Sequence, residues 1–535
     1  MKHITIILAG AACAILFASC ADSPVEAPQG IPAELREIMN ANRAIALPPR
    51  HPSFAELSAR LLTPSLNPET DARVAAVVAA QADLSMAIFD PQAGALLAHP
   101  EGYITRDNAA NDIRFLFDLL RYGYAGYQLF GGDAVFLPLR DSMLGQLANM
   151  SDPMPLSLYL QHLLLPSLRG VIADNHFILH GTQINAPLYM LYMSADFILR
   201  RDDAGFVTEL DGARHRVVET RLPNGQLTNG VMPTLTAYGE FAWTFGLSVP
   251  LQGQVIRLTV VFENDQTGTR QTRIVMLPLV DLPLMGSHPR LQALDERGVK
   301  ILESRSLMGT WTDAGKYCIG VAEFYQSGYE ARSQPVLVLD LRHHVGGHPF
   351  LAGEWMRGYA GREIARETAF APFMLASYAA FALAETPFLF CGECEIPETR
   401  EDAAIAEWAN DPERGPRWLL PVYYPSRDAI PNENLIIVLM DKRTLSAGEV
   451  FVGHLRQLEN ALFVGTATQG TAVSTGMMAT SLPYSGLHVT FGRILNLRPD
   501  LSQFEGVGFL PDLWVPPGES LGRVLAFIER YGLNR

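Results

Sequence analysis

The chain has 535 residues, 48% of them hydrophobic, and a formal net charge of −15 at neutral pH. This acidic balance argues against a nucleic-acid partner, because binding to a phosphate backbone requires clustered basic side chains. The length exceeds what a single hydrophobic core usually organises, so we expect two or three domains. Five cysteines in so long a chain also exclude a small domain held together mainly by disulfides.

The N-terminal segment predicts export. A basic residue precedes an apolar run over residues 4–17, which is the layout of a secretory signal peptide covering residues 1–19. The following Ala18-Ser19-Cys20 resembles a bacterial lipobox, which implies lipidation of Cys20. An ordinary cleaved signal is the alternative. Residues 20–31 contain prolines and show no apolar period, so they predict a tether.

This leader gives an expected location. We expect an outer-membrane lipoprotein of the cell envelope that faces the periplasm or the cell surface, with a secreted or periplasmic soluble protein as the alternative. The membrane would then be a partner through the lipid anchor.

Two regions of different period follow the tether. Over residues 32–185 the apolar residues recur at helical spacing, as Leu156, Leu160 and Leu164 do, which predicts a helical N-terminal region. Over residues 190–285 the pattern alternates, and the two extended runs 255–262 and 273–277 flank a turn-like segment. This predicts a β-hairpin within a small β-rich module.

Residues 300–535 alternate strand-like and helical segments. The apolar runs 336–341 and 435–440 are each followed by a helical pattern, so they predict an α/β region with a mostly parallel sheet and ligand sites at the strands' carboxyl ends. Within this region we interpret residues 365–420 as an insertion. Its apolar stretch 368–384 predicts a packed or lid helix, and Cys391 and Cys394 predict a local disulfide.

Ser446 lies a few residues beyond the second of these strands and directly before a helix. A hydroxyl in that place has helix N–H groups beside it that can stabilise an oxyanion. The alternative is a capping box, because Glu449 follows three residues later.

Two motifs resemble the C-terminal-processing and tricorn-type peptidases. Asp340-Leu341-Arg342 followed by Gly346-Gly347 is similar to the family's oxyanion loop, and Ser446-Ala447-Gly448-Glu449 is similar to its nucleophile segment. The resemblance implies a ClpP/crotonase-like catalytic core and a serine peptidase that acts on peptides or proteins without a cofactor. It also implies Ser446 as nucleophile and the N–H groups of Gly346, Gly347 and Ala447 as the oxyanion hole.

The family offers two kinds of general base. Thr471 stands where the bacterial processing proteases carry a lysine, so that Ser-Lys dyad is excluded. The tricorn-like branch uses His and Glu, and the stretches 174–177 and 504–508 resemble its motifs. They imply a triad of Ser446, His176 and Glu505, and Asn175 would steady the site through its amide.

Each member of this triad has an alternative. His176, Ile178 and His180 alternate on one expected strand, so His176 could be a core histidine and His180 the base. Asp512 is the rival of Glu505.

Other features bear on the function class. His343, His344 and His348 fit no zinc helix spacing, so we predict no metal. The β-rich module stands where processing peptidases often carry a PDZ domain, but it shows no Gly-rich loop for binding a carboxylate, so it predicts at most a degenerate PDZ-like unit. The alternative function is a non-catalytic peptidase-fold lipoprotein that binds peptides or scaffolds envelope proteins.

Overall fold

The computed structural model describes residues 30–43, 51–62, 66–81, 102–184, 188–282, 289–311, 317–362, 371–384, 400–419, 429–502 and 504–534. The expected signal peptide, Cys20 and the pair Cys391 and Cys394 lie outside these residues. Within the described ranges, no helix is long and apolar enough to cross a membrane.

The N-terminal part is helical. Its helices are Ala33–Asn42, Phe54–Leu61, Pro68–Ala79, Arg106–Gly123, Asp133–Leu147, Leu156–Leu158, the π-helical turn Tyr159–Leu164 and Leu165–Arg169. The short strands Tyr103–Ile104 and Met154–Pro155 pair within it. Sequence signals set the starts of two helices. Asn67 caps one of them by accepting the N–H groups of Glu69 and Thr70, and Thr105 caps Arg106–Gly123.

Antiparallel strands fill the segment 188–282. They are Tyr189–Met193, Arg200–Asp202, Gly205–Leu210, Ala213–Arg221, Val231–Leu235, Phe241–Pro250, Val255–Asn264 and Arg270–Pro278. Two sheets result, one of three strands and one of five. The last two strands pair antiparallel from Val255 opposite Pro278 to Glu263 opposite Arg270, which confirms the predicted hairpin.

The central sheet has six strands. In spatial order they are Gln292–Glu296, Val299–Glu303, Val336–Asp340, Leu435–Met440, Ala461–Gly465 and Leu513–Trp514. All pairs except the first are parallel. This confirms the predicted α/β class with its mostly parallel sheet.

Helices cover both faces of this sheet. Val321–Ala331, Pro349–Ala360 and Ala447–Leu455 pack on one face, and Ala33–Asn42 and Pro517–Arg530 pack on the other. Along the strand Leu435–Met440 the side chains alternate between these two cores, and every one is buried. A strand covered on both sides reads as an unbroken apolar run for this reason.

A second sheet is built from strands of the N-terminal region and of the C-terminal region. It contains Ile178–Leu179, Thr182–Gln183, Ala371–Ala376, Arg417–Leu419, Ser474–Ser481 and His488–Leu497. Its core residues Leu179, Val489 and Phe491 belong to the same apolar cluster as the N-terminal helices. The sheet therefore joins the segment around His176 to the C-terminal region.

The helix predicted over 368–384 is wrong for its first part. Ala371–Ala376 is a strand paired with His488–Leu497, and only Tyr378–Ala384 is helical. Phe373 and Leu375 pack into one core while Met374 packs into another, which is the two-residue period of a strand. A short apolar run fits either structure, and pairing with the neighbouring strand decided between them. The helix Arg400–Asn410 and the paired strands Thr310–Trp311 and Tyr317–Cys318 complete the described elements.

Candidate active site

Ser446 occupies a strained turn between a strand and a helix. It follows the buried strand Leu435–Met440 and directly precedes the helix Ala447–Leu455. Its backbone has φ 54° and ψ −121°, a conformation that L-residues rarely adopt. Such outliers concentrate at functional sites, where the surrounding structure enforces them. The side chain is partly exposed and stands at the positive end of the helix dipole.

The loop that carries Gly346 contacts this serine. A Cβ placed on Gly346 would lie 2.9 Å from Cβ of Ser446 and 3.3 Å from its Oγ, and Gly346 itself has φ +90°. Both the space and the backbone therefore require glycine here. The two motifs that were matched separately in the sequence meet at this contact.

The Asp-Leu-Arg residues form the scaffold of that loop. The buried Asp340 carboxylate accepts hydrogen bonds from Arg305 at 2.6 and 2.7 Å and from the Arg342 guanidinium at 2.9 and 2.6 Å. These two cations hold the pKa of Asp340 at about 2, although burial alone would raise it. The motif thus fixes the exit of the strand Val336–Asp340 and, with it, the position of Gly346.

The three predicted oxyanion donors differ in whether they already donate a hydrogen bond within the chain. The Gly346 N–H donates to Nδ1 of His344 at 3.0 Å. The N–H groups of Gly347 and Ala447 donate to no described residue. His344 is fully buried, and burial lowers its pKa to about 3, so it is neutral and can accept. Two of the three donors are therefore available to a ligand here.

Glu449 joins Ser446 to the segment 468–473, here named the bridging loop. Its carboxylate accepts the N–H of Ser446 at 3.3 Å, of Gly470 at 2.8 Å and of Thr471 at 2.7 Å. It also accepts the hydroxyl of Thr468 at 2.6 Å. The capping interaction considered as the alternative role for this sequence is thus present. It coexists with the strained serine and fixes the loop beside it.

Glu505 forms hydrogen bonds with the other end of the bridging loop. Its carboxylate accepts the N–H groups of Ala472 at 3.1 Å, Val473 at 2.9 Å and Asn175 at 2.7 Å. The Asn175 side-chain amide donates to the Gly470 carbonyl at 2.9 Å, as its expected steadying role requires. Gly470 therefore contacts both Glu449, on the Ser446 side, and Asn175, on the His176 side.

His176 lies in a turn before the strand Ile178–Leu179, not within a longer strand as its alternation predicted. It is buried, and neither ring nitrogen makes a well-aligned hydrogen bond to a described residue, although the backbone of Ser474 lies close enough to favour the charged ring. Burial lowers its pKa below the usual value, while the nearby Asp174 carboxylate opposes this. The ring is therefore neutral at physiological pH, as a general base must be.

The predicted residues are thus brought together in part. Glu449, beside Ser446, and Glu505 both hold the bridging loop, and Glu505 also holds Asn175, but His176 makes no hydrogen bond to Ser446 or to Glu505 in this structure. His180 stacks on His488 with ring centroids 5.9 Å apart. Asp512 pairs with Arg43 at 2.9 Å. The two rivals are therefore engaged in other contacts.

Sequence reasoning missed two polar residues of this site. Asp174 accepts the hydroxyls of Tyr124 and Ser474 and the N–H of His176. Lys442 is buried between the bridging loop and the segment 504–508. Their signal was available, since Asp174 belongs to the His176 motif and Lys442 follows a core strand at its carboxyl end. Among the described residues, no group of three or more metal-binding side chains comes together.

Residues 398–515 match the model of peptidase family S41, and this segment includes Ser446, the bridging loop and Glu505. Over that segment the chain is therefore similar to the peptidase family that its sequence motifs resemble. His176 and Gly346 lie outside it. A comparison with curated proteins gave no match.

A comparison with solved structures gave matches of low identity and low TM-score. Mature CPAF is 14% identical over 80% of this chain and 96% of its own, with a TM-score of 0.41. The photosystem II D1 C-terminal processing protease is 13% identical over 80% and 99%, with a TM-score of 0.33. A putative S41 protease from Bacteroides fragilis is 13% identical over 65% and 87%, with a TM-score of 0.26.

Proposed function

We propose that this chain is an exported serine endopeptidase that hydrolyses peptide bonds through an acyl-enzyme on Ser446. The observation that supports this most strongly is the strained φ of 54° at Ser446, directly before a helix and in contact with the Gly346 turn. A capping serine needs no such strain, because N-cap residues normally adopt extended backbone angles. The distortion supports a role for its hydroxyl beyond capping.

The proposed chemistry uses the side chains and backbone N–H groups described for the candidate active site. Neutral His176 takes the proton of Ser446 Oγ as that oxygen attacks the substrate carbonyl, and then protonates the leaving amine. Catalytic hydrogen bonds often tighten only in the substrate complex, and we place the Ser446–His176 bond there. The N–H groups of Gly347 and Ala447 receive the developing oxyanion.

The two carboxylates near His176 have separate proposed roles. Asp174 stabilises the imidazolium, since it is the charge that raises the pKa of His176. Glu505 completes the triad by positioning, because its oxygens hold the backbone of Asn175 and of the bridging loop.

A digest of a peptide library by the mature protein tests this function. Wild-type protein should release new amino termini, and Ser446→Ala should release none. The matched control is Ser520→Ala, which alters a buried serine in the first turn of another helix whose hydroxyl donates to Pro517 O. Cleavage by Ser446→Ala at the wild-type rate would remove the proposal.

One observation favours the second candidate function, a peptidase-fold lipoprotein that binds peptides without cleaving them. In this structure the Gly346 N–H is occupied by His344, and His176 is not bonded to Ser446. Peptide binding of equal strength by wild type and Ser446→Ala, with no cleavage by either, would establish that alternative.

The proposed location is the cell envelope, with the chain anchored through lipid on Cys20. Incorporation of labelled palmitate into wild type, and its loss in Cys20→Ser, is the expected result. Equal incorporation by both would exclude Cys20 as the anchor.

A further inference from the structure

Lys442 is a buried charge that the proposed reaction does not use. It lies four residues before Ser446 and is 4% exposed. Its Nζ donates to three backbone carbonyls, those of Thr468 at 2.7 Å, Gly506 at 2.8 Å and Val507 at 3.1 Å. The first belongs to the bridging loop, and the other two belong to residues 504–508, here named the Glu505 loop.

These three hydrogen bonds require the charged form. An ammonium group has three N–H donors and no acceptor, whereas a neutral amine has only two donors. Loss of the proton would therefore leave one buried carbonyl without its donor and would turn a lone pair toward carbonyl oxygens. The contact between the two loops depends on the protonation of a single side chain.

Both loops matter to the site. The bridging loop supplies the N–H groups that bind Glu449 and Glu505, and the Glu505 loop carries Glu505 itself. A displacement of either loop would shift Asn175, which both Glu505 and Gly470 hold, and with it the adjacent His176.

The charges that face Lys442 come from two elements. Glu449 lies on the helix after Ser446 and Glu505 on the Glu505 loop. Burial raises the pKa of both carboxyl groups, and in their ionised form both favour the ammonium. The bridging loop contributes no titratable side chain. Burial outweighs the two carboxylates and lowers the pKa of Lys442 to about 7.

We propose that Lys442 is a positioning residue whose protonated amine holds the bridging loop against the Glu505 loop, so that the active geometry persists only while the amine is charged. The expected effect on turnover rests on the proposed function, whereas the expected effect on loop order does not depend on it. Activity should therefore fall on the alkaline side of neutral pH.

The sign of the stability effect follows from the pKa of Lys442 alone, whatever the role of its amine. Because the folded pKa of Lys442 lies below that of the unfolded chain, the unfolded state binds more protons between about pH 7 and about pH 10. The contribution of Lys442 to global stability therefore rises with pH in that window. Loop order and activity should fall in the same window, so they should change in the opposite direction to global stability.

The test follows peptide turnover and hydrogen exchange of peptides covering 468–473 and 504–508, from about pH 6 to about pH 9. Wild type should lose roughly tenfold in kcat and in loop protection above neutral pH, with a smaller change in KM. In Lys442→Arg, which stays charged, the fall of kcat and of loop protection at alkaline pH should shift upward by at least about one pH unit. Lys442→Met should be roughly tenfold slower at about pH 6 and should show no such fall. Lys300→Met, which alters a partly exposed lysine on the strand Val299–Glu303, is the matched control and should behave as wild type.

Two outcomes would overturn the inference. One is loop protection in wild type that does not change with pH, which needs no variant to fold. The other is a Lys442→Met protein with the wild-type pH profile. Loss of protection above neutral pH without turnover at any pH would support the role of Lys442 and remove the proposed function. Turnover that does not fall at alkaline pH, together with unchanged loop protection, would remove the role of Lys442 and support the proposed function.

Discussion

The backbone N–H of Asn175 donates to Oε1 of Glu505 at 2.7 Å, so this carboxylate holds the residue before His176 and not the imidazole itself. Its second oxygen accepts two N–H groups of the bridging loop. A carboxylate used in this way acts through the backbone that it orders.

Glu505→Gln should therefore reduce both activity and stability. The amide replaces one acceptor oxygen by a donor that faces backbone N–H groups, and a buried mismatch of this kind costs about 1–3 kcal/mol. We expect a loss of roughly tenfold or more in kcat/KM and a lower urea midpoint. Glu519→Gln, in an ion pair at the surface, is the control and should change neither. An unchanged urea midpoint in Glu505→Gln would contradict the assigned role.

Asp174→Asn should move the acid limb of the pH–activity profile. Activity falls at low pH as His176 becomes protonated, and Asp174 raises the pKa of His176 against the effect of burial. Removing the negative charge lowers that pKa further, so the limb in kcat/KM should shift to lower pH while maximal activity declines. Tyr124→Phe, which removes one donor to Asp174 and keeps its charge, is the comparison variant. A limb that stays in place, or moves upward, would show that Asp174 does not act on the base.

His176→Ala and His180→Ala separate the base from its rival. His176→Ala should lower kcat by roughly a thousandfold or more with the fold intact, which is the scale of losing a general base. His180 contacts His488 through its ring and backbone, and its removal should cost less than roughly tenfold. Circular dichroism checks the fold, and single-turnover rates check the chemistry. A larger loss of kcat in His180→Ala than in His176→Ala would assign the role of base to His180.

Asp340→Asn should destabilise the chain strongly. It leaves the buried guanidinium groups of Arg305 and Arg342 without their carboxylate, and breaking a buried ion pair costs about 3–5 kcal/mol. The folded pKa of about 2 lies below the ordinary value of 3.8, so the ionised group contributes stability above about pH 4 that is lost as pH falls toward 2.

Urea titrations of wild type and Asp340→Asn between about pH 2 and about pH 6 measure this contribution. The difference between them should shrink at the acid end. Asp411→Asn, at an ion pair nearer the surface, should cost less than about 1 kcal/mol. A difference for Asp340→Asn that is independent of pH would contradict the linkage.

Much of the central sheet could be predicted from the sequence. The strand Leu435–Met440 has the predicted bounds, because a strand buried on both faces has an unmistakable apolar run and ends at polar residues. The run at 371–376 misled the prediction, because its two partner strands, Arg417–Leu419 and His488–Leu497, are both distant in sequence and no local pattern reveals these pairings.

The site was predictable where motifs are contiguous and not where contacts are long-range. The contact of Gly346 with Ser446 joins two motifs that were each visible in the sequence. The use of the Glu505 oxygens by backbone N–H groups was not visible, because any carboxylate can serve either a ring or a backbone. The burial of Lys442 was not visible either, because the carbonyls that accept its hydrogen bonds lie on two segments that are distant in sequence.

The most direct test of the central claim is covalent labelling of Ser446. Mature wild-type protein treated with a fluorophosphonate should gain the mass of one phosphonyl group, located by peptide sequencing on Ser446, because an activated serine beside oxyanion donors reacts with such probes. The Ser446→Ala variant should gain none. Equal labelling of both proteins, or labelling of neither, would contradict Ser446 as the nucleophile.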